Sequence, residues 1–217
     1  MQPVSLEVQG LTKVFGDRVI FAAVNFSLHE SSSLALTGRN GSGKSTMLKI
    51  LAGVLSPTSG NIQLSVASYR IKAADRFAYL GFVAPYLQLY DEFTGSENLK
   101  MLSRMRGAGK QNSHLQMLLE RMGLAQRSSD LVRTYSSGMK QRLKYAFALI
   151  HQPPILFLDE PSTNLDPEGV SVVLEVVEEQ KRKGLLIVAT NDPQEATWCE
   201  QVLNLDTVPR PIAGRIS

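Results

Sequence analysis

A chain of 217 residues, 43% of them apolar, is long enough to bury a sizeable core as an α/β domain carrying a subdomain. Its net charge is only +3 and it has no long block of like charge, so the expectation is a protein that does not bind nucleic acid. The lone Cys199 excludes an intramolecular disulfide, His29, His114 and His151 lack metal-ligand spacing, and no apolar run approaches the roughly 20 residues of a membrane span, which together predict a soluble, cytoplasmic chain.

The first third reads as strands. Val4 to Val14, Val19 to Leu28 and Leu34 to Thr37 alternate or run apolar. The strand ending at Thr37 leads into Gly38-Arg39-Asn40-Gly41-Ser42-Gly43-Lys44-Ser45-Thr46, which fits G-x-x-x-x-G-K-[ST], and a helix follows from Lys44 to near Gly53. Glycines let such a loop turn tightly and aim several N–H groups at one point, where the helix N-terminus adds its positive end. Lys44 can reach the β- and γ-phosphates of a bound nucleotide, and the Ser45 hydroxyl can ligate Mg²⁺. The chain is therefore expected to bind a nucleoside triphosphate.

A turn at Pro57-Thr58-Ser59-Gly60 precedes strands expected at Asn61 to Val66 and Phe77 to Val83. Thereafter the pattern is helical. Thr94-Gly95-Ser96-Glu97 is a capping box, Gly107-Ala108-Gly109 breaks the first helix, and Leu115-Leu118-Leu119-Met122 marks a second. A third helix is expected from Ser137 through Leu149. After Pro153-Pro154 the alternation of strand and helix returns, with a buried strand at Ile155 to Leu158, a helix at Pro167 to Lys183 capped by Asp166, and a strand at Leu185 to Ala189. Lys181-Arg182-Lys183 then sits at a helix C-terminus, where cations favour the dipole. The strand Ile155 to Leu158 delivers Asp159-Glu160 to its carboxyl end, where ligands bind in open α/β sheets. Asp159 there suits Mg²⁺, and Glu160 suits a general base for an attacking water.

The order of phosphate loop, helical stretch, Ser136-Ser137-Gly138-Met139 before a helix, and strand-borne Asp159-Glu160 resembles the ATP-binding cassette (ABC) ATPases over nearly the whole chain. The resemblance implies an α/β P-loop NTPase core with a small antiparallel β subdomain and a helical insert, the core at residues 1–93 and 151–217 and the insert at 94–150. It places Ser136, Ser137 and Gly138 where the family's LSGGQ signature belongs, and Phe15 where the family stacks an aromatic on adenine. Asp159 to Asp166 is similar to the family's Walker B motif and D-loop. Such cassettes pair head to tail around ATP and Mg²⁺, so the implied partners are a second ATPase subunit, identical or not, and an integral membrane permease that holds the pair at the inner face of the membrane.

Three positions depart from the family pattern. Pro85 stands in place of a glutamine, so that either Gln88, three residues on, makes the contact to Mg²⁺ and the water, or the contact is missing. Ser137 and Met139 replace a glycine and a glutamine of the signature, and Asn191 replaces the switch histidine. Asparagine can donate to a γ-phosphate but is shorter and never charged, so slow turnover is expected. Tyr86, Tyr90 and Phe93 are expected to anchor a permease helix. The wording of the signature resembles export systems. A soluble assembly ATPase and a haem-exporter-like cassette of cytochrome c maturation stand as alternatives.

Overall fold

The computed structural model describes residues 3–107 and 112–208. Two sheets organise it. Strands β1 (Val4–Phe15), β2 (Arg18–Leu28), β4 (Ser59–Val66) and β5 (Tyr69–Ile71) form an antiparallel sheet in the order β2-β1-β4-β5. A parallel sheet has the order β6-β7-β8-β3-β9, built from β3 (Ser33–Thr37), β6 (Leu80–Val83), β7 (Ile155–Asp159), β8 (Leu185–Ala189) and β9 (Gln201–Asn204). The helices are α1 (Lys44–Leu51), α2 (Gly95–Met105), α3 (Asn112–Arg121), α4 (Ser137–Leu149), α5 (Pro167–Lys183) and the short α6 (Pro193–Ala196).

Burial follows from strand periodicity. β7 and β8 are buried at every position, as strands covered on both faces must be. Their side chains divide by alternation. Ile155, Phe157, Leu185 and Ile187 join a cluster with α1 and the antiparallel sheet, while Leu156, Leu158, Leu186 and Val188 join a second with α2 to α5. The first cluster therefore sets the phosphate loop against the antiparallel sheet, and the second seats the helical segment on the opposite face.

The strand expected from Phe77 begins only at Leu80, because residues Ala73–Ala78 wind into a 3₁₀ turn. The cause is Arg76. Its buried guanidinium donates to the carbonyls of Leu51 at 3.1 Å and Ile62 at 3.0 Å, supplying a partner at the C-terminus of α1, where carbonyls lack intrahelical donors. Of the expected break at Gly107-Ala108-Gly109, Gly107 takes a left-handed φ of 62°, while Ala108 and Gly109 lie outside the described residues. The cations at the end of α5 are used locally, with Lys181 and Lys183 paired to Glu178 at 3.0 Å and Glu179 at 2.5 Å.

The start of α2 is a reciprocal cap. Thr94 Oγ1 accepts from the Glu97 N–H at 3.1 Å, and Glu97 Oε2 accepts from the Thr94 N–H at 2.8 Å. Thr94→Ala should destabilise the protein by about 1 kcal/mol, which lowers the Tm by roughly 2–4 °C for a chain of this size. The Thr94 backbone N–H, followed by its hydroxyl, holds the Glu97 carboxyl below its usual range. A carboxyl with a depressed folded pKa stabilises above its unfolded value and loses that contribution as the pH falls through the folded one. The Tm difference between wild type and Glu97→Gln should accordingly shrink between about pH 7 and about pH 3 in paired thermal melts.

Candidate functional site

Strand register assembles the site. Ala189 of β8 pairs with Leu36 of β3 on one side and with Asp159 of β7 on the other. The segments leaving these three strands are the phosphate loop, Asp159-Glu160 and Thr190-Asn191, so all emerge at one edge of the sheet. Two further bonds lock them together just beyond the strands, from the Thr190 N–H to Leu36 O at 3.0 Å and from the Glu160 N–H to Ala189 O at 2.8 Å.

There the structure forms a cavity of about 390 Å³ lined by Arg18, Ile20, Asn40, Gly41, Gly43, Lys44, Ser45, Thr46 and Glu160. Gly43 precedes α1 at a φ of 110°, and a Cβ there would meet the Ile20 side chain at 2.5 Å, so glycine is required on both counts. No side chain caps α1 and no acid lies in its first turn, leaving its N–H groups and positive end to an anion. The buried Lys44 ammonium donates to Gly38 O at 2.8 Å and lies 3.8 Å from Glu160 Oε1. Gly38 and Arg39 do not line the cavity. The Arg39 N–H is held instead by Asp206 at 2.8 Å, and Ser42 is buried within the loop.

Asp159 is buried, and the hydroxyl of Ser45 is the hydrogen-bonding group beside its carboxylate. Burial raises its pKa, opposed by the nearby Ser45 hydroxyl and by Lys44 and Lys49. A buried carboxylate beside a hydroxyl, at the foot of an anion cradle, is a hard oxygen donor set that suits Mg²⁺. Glu160 also has a raised pKa, first through burial, against the pull of Lys44 and with a push from Glu195 and Asp159. Its backbone sits in the left-handed region at a φ of 49°, and the Asn191 backbone N–H bonds to its carboxylate. The Asn191 side chain donates to Asn40 Oδ1 at 3.0 Å, which joins the segment after β8 to the phosphate loop.

Gln88 is not brought here. It is exposed and lines a separate cavity with Leu87, Leu89, Asp91, Lys140 and Lys144. The reason lies at Pro85. Lys144 of α4 donates to Ala84 O at 3.2 Å and Pro85 O at 2.8 Å, drawing the chain toward the helical segment and carrying Gln88 away with it. The residue of this loop within electrostatic range of Asp159 is Tyr86. Burial, with the Asp159 charge behind it, raises the pKa of its phenol, and Lys49 Nζ lies 4.2 Å from its ring centroid.

Phe15 is 47% exposed and pairs across the β1–β2 hairpin with Arg18, a residue of the cavity wall. Lys13 Nζ sits 4.5 Å from the centre of the Phe15 ring, which leaves the opposite face open to a flat ligand. Ser136, Ser137 and Gly138 do not reach this cavity. Ser136 and Ser137 are exposed at the start of α4, where Ser136 Oγ accepts from the Met139 N–H at 3.2 Å. Arg18, Ile20 and Tyr86 carry no motif in the sequence, and only the folding of the hairpin and of the loop after β6 brings them to the site.

With this geometry, comparison with known proteins places the chain. The sequence profile of the ABC transporter family matches residues 21–163. The linearmycin resistance ATP-binding protein LnrL of Bacillus subtilis is 33% identical over 93% of the chain and 66% of its own length. The bacitracin transport ATP-binding protein BcrA of Enterococcus faecalis is 34% identical over 77% of the chain and 54% of its own length. The chain thus spans about half to two thirds of these relatives. The solved ATP-binding subunit of an ABC transporter superposes with a TM-score of 0.79 at 29% identity, over 92% of this chain and 85% of the other. The chain belongs to the ABC transporter family and is an ATP-binding domain of that family.

Lys44→Ala should weaken ATP binding about 10- to 100-fold, the equivalent of roughly 1.5–3 kcal/mol for a charge-assisted contact. Arg18→Ala should cause a smaller loss that fades as salt is added, because the group is exposed. Equilibrium titration with a fluorescent ATP analogue, alongside circular dichroism to verify folding, checks both.

Proposed function

We propose that the chain binds Mg-ATP and hydrolyses it to drive export through a separate integral membrane subunit, working as one of two cassettes, with a second copy or a sister subunit. The observation that carries this reading is the shared strand-end row of Leu36, Ala189 and Asp159, which gathers anion cradle, metal-binding carboxylate and general base at one edge. The N–H groups of the loop from Asn40 to Thr46 and the Lys44 ammonium take up the phosphate charge. Ser45 and Asp159 would hold Mg²⁺, which when bound draws charge from the phosphates. Glu160 accepts a proton from the attacking water, and its raised pKa favours that role near neutral pH. Asn191 orients the γ-phosphate as a neutral donor, so turnover is slow. Phe15 stacks on the adenine.

The position of Ser136, Ser137 and Gly138 supports pairing. They stand at an exposed helix N-terminus away from the chain's own cavity, so the nucleotide they serve belongs to a facing cassette. For the membrane partner the surface is the loop after β6. Tyr86, Tyr90 and Phe93 are all more than a third exposed, and the Tyr90 and Phe93 rings stack at 5.6 Å. Buried Asn98 braces this loop, accepting from the Tyr90 N–H at 2.9 Å and donating to Tyr90 O and Thr94 O, both at 3.0 Å. Among the described residues no helix is long and apolar enough to cross a membrane. In this reading a separate permease forms the pathway and holds the chain at the inner membrane face. Relatives named for linearmycin resistance and bacitracin transport favour export over a soluble assembly ATPase or a cytochrome c maturation cassette.

Steady-state ATPase assays with size-exclusion chromatography test the reading. Wild type should turn over slowly, and Glu160→Gln should lower kcat about 10²- to 10⁴-fold, the range for a lost general base, while trapping an ATP-dependent dimer. Turnover surviving in Glu160→Gln would overturn the assignment.

A further inference from the structure

The loop from Glu160 to Asp166 carries the general base at one end, yet what holds that loop lies outside every motif. Glu160 and Asn164 both have left-handed backbones, at φ values of 49° and 65°. Residues with side chains keep this conformation only where their surroundings over-determine it. One clamp comes from α4. Buried Tyr145 donates its hydroxyl to Pro161 O at 3.0 Å, and buried Gln141 donates Nε2 to the same oxygen at 3.3 Å. The other comes from α6. Glu195 is 3% exposed, and its Oε1 accepts from the Ser162 N–H at 2.9 Å and from the Ser162 hydroxyl.

Glu195 is costly as a purely structural choice. Its second carboxylate oxygen is buried with no hydrogen bond, and burying a carboxylate without full pairing opposes folding. The place it occupies accounts for it. α6 begins directly after Asn191, so residues 191 to 195 touch Asn40 of the phosphate loop, Glu160 and Ser162 within one short span. A carboxylate supplies two lone pairs on one oxygen for both donors of Ser162, with no N–H of its own to be left unpaired.

We propose that Glu195 is a positioning residue for ATP hydrolysis. By gripping Ser162 from the segment that carries Asn191, it fixes residues 160 to 162 so that the Glu160 carboxylate stays aimed at the attacking water. It moves no proton and touches no nucleotide. The inference rests on the ATPase reading above.

The test compares Glu195→Ala, Glu195→Gln and Ser162→Ala in the full chain, by ATPase kinetics and amide hydrogen exchange. Glu195→Ala should lower kcat about 10- to 100-fold, the scale of a small misplacement of a catalytic group, with the KM for ATP unchanged. Exchange should accelerate at residues 160–166 but not in the phosphate loop. Glu195→Gln keeps an acceptor for Ser162 and should recover most of kcat, and Ser162→Ala, which retains the N–H, should fall between the two. Wild-type kcat in Glu195→Ala, or a parallel loss of kcat, nucleotide affinity and global exchange protection in both Glu195 variants, would overturn the proposal. A wild-type chain without turnover would instead sink the ATPase reading, and this inference with it.

Discussion

The constraint on which the site depends is parallel pairing of β8 with β3 on one side and with β7 on the other. Parallel strands end together, so the segments leaving them share one edge, and a register fixed by buried side chains decides which residues face each other there. Every position of β7 and β8 is buried, and a slip by one residue would move Leu156 and Leu158 from the helical face to the face of α1. The hydrophobic pattern thereby fixes the separation between Lys44 and Glu160. The 3.8 Å between their charged atoms is a consequence of core packing as much as of their mutual attraction.

That attraction has to be weighed against burial. Lys44 is buried while the Glu160 side chain is about a quarter exposed, and Asp159 lies deeper than either. In this partly dry setting desolvation pushes both acids toward higher pKa values, against the pull of Lys44, and for Glu160 the charges of Glu195 and Asp159 add to the rise. A site assembled for stability alone would pair these groups or remove them. Here the buried carboxylate of Asp159 invites positive charge and the uncapped N-terminus of α1 invites negative charge, a combination that suits a nucleotide bound with a divalent cation.

Most of the fold was legible because its strands and helices are long and clearly periodic. β7, β8 and α5 are bounded by Pro153-Pro154, the Asp166 cap and Gly184, signals that act through local backbone chemistry. The three residues of β5 and the four of α6 are too short to show a period, and Arg76 redirects residues 73–78 through contacts with carbonyls far away in sequence. The site divides in the same way. Lys44, Ser45, Asp159 and Glu160 lie on contiguous motifs whose spacing carries the chemistry. Arg18, Tyr86 and Glu195 come to the site from other elements, so no spacing could announce them. Gln88 lines a different cavity, since closeness in sequence to Pro85 says nothing of direction and Lys144 holds the Ala84 and Pro85 carbonyls toward α4.

The two ends of α4 connect these features. Its N-terminus presents Ser136 and Ser137 to solvent, and its body holds Pro161 through Tyr145 and Gln141 and the loop after β6 through Lys144. Gly138 lies so close to the loop after β7 that a Cβ would stand 3.0 Å from Asn164 O. One helix therefore joins the exposed turn at Ser136, the loop carrying Glu160 and the backbone just before Tyr86. Close-packed contacts of this kind tie the positions of the three segments to one another. The turn offers backbone N–H groups and the surface at Tyr86, Tyr90 and Phe93 offers half-exposed rings, so the helix joins two surfaces of different chemistry.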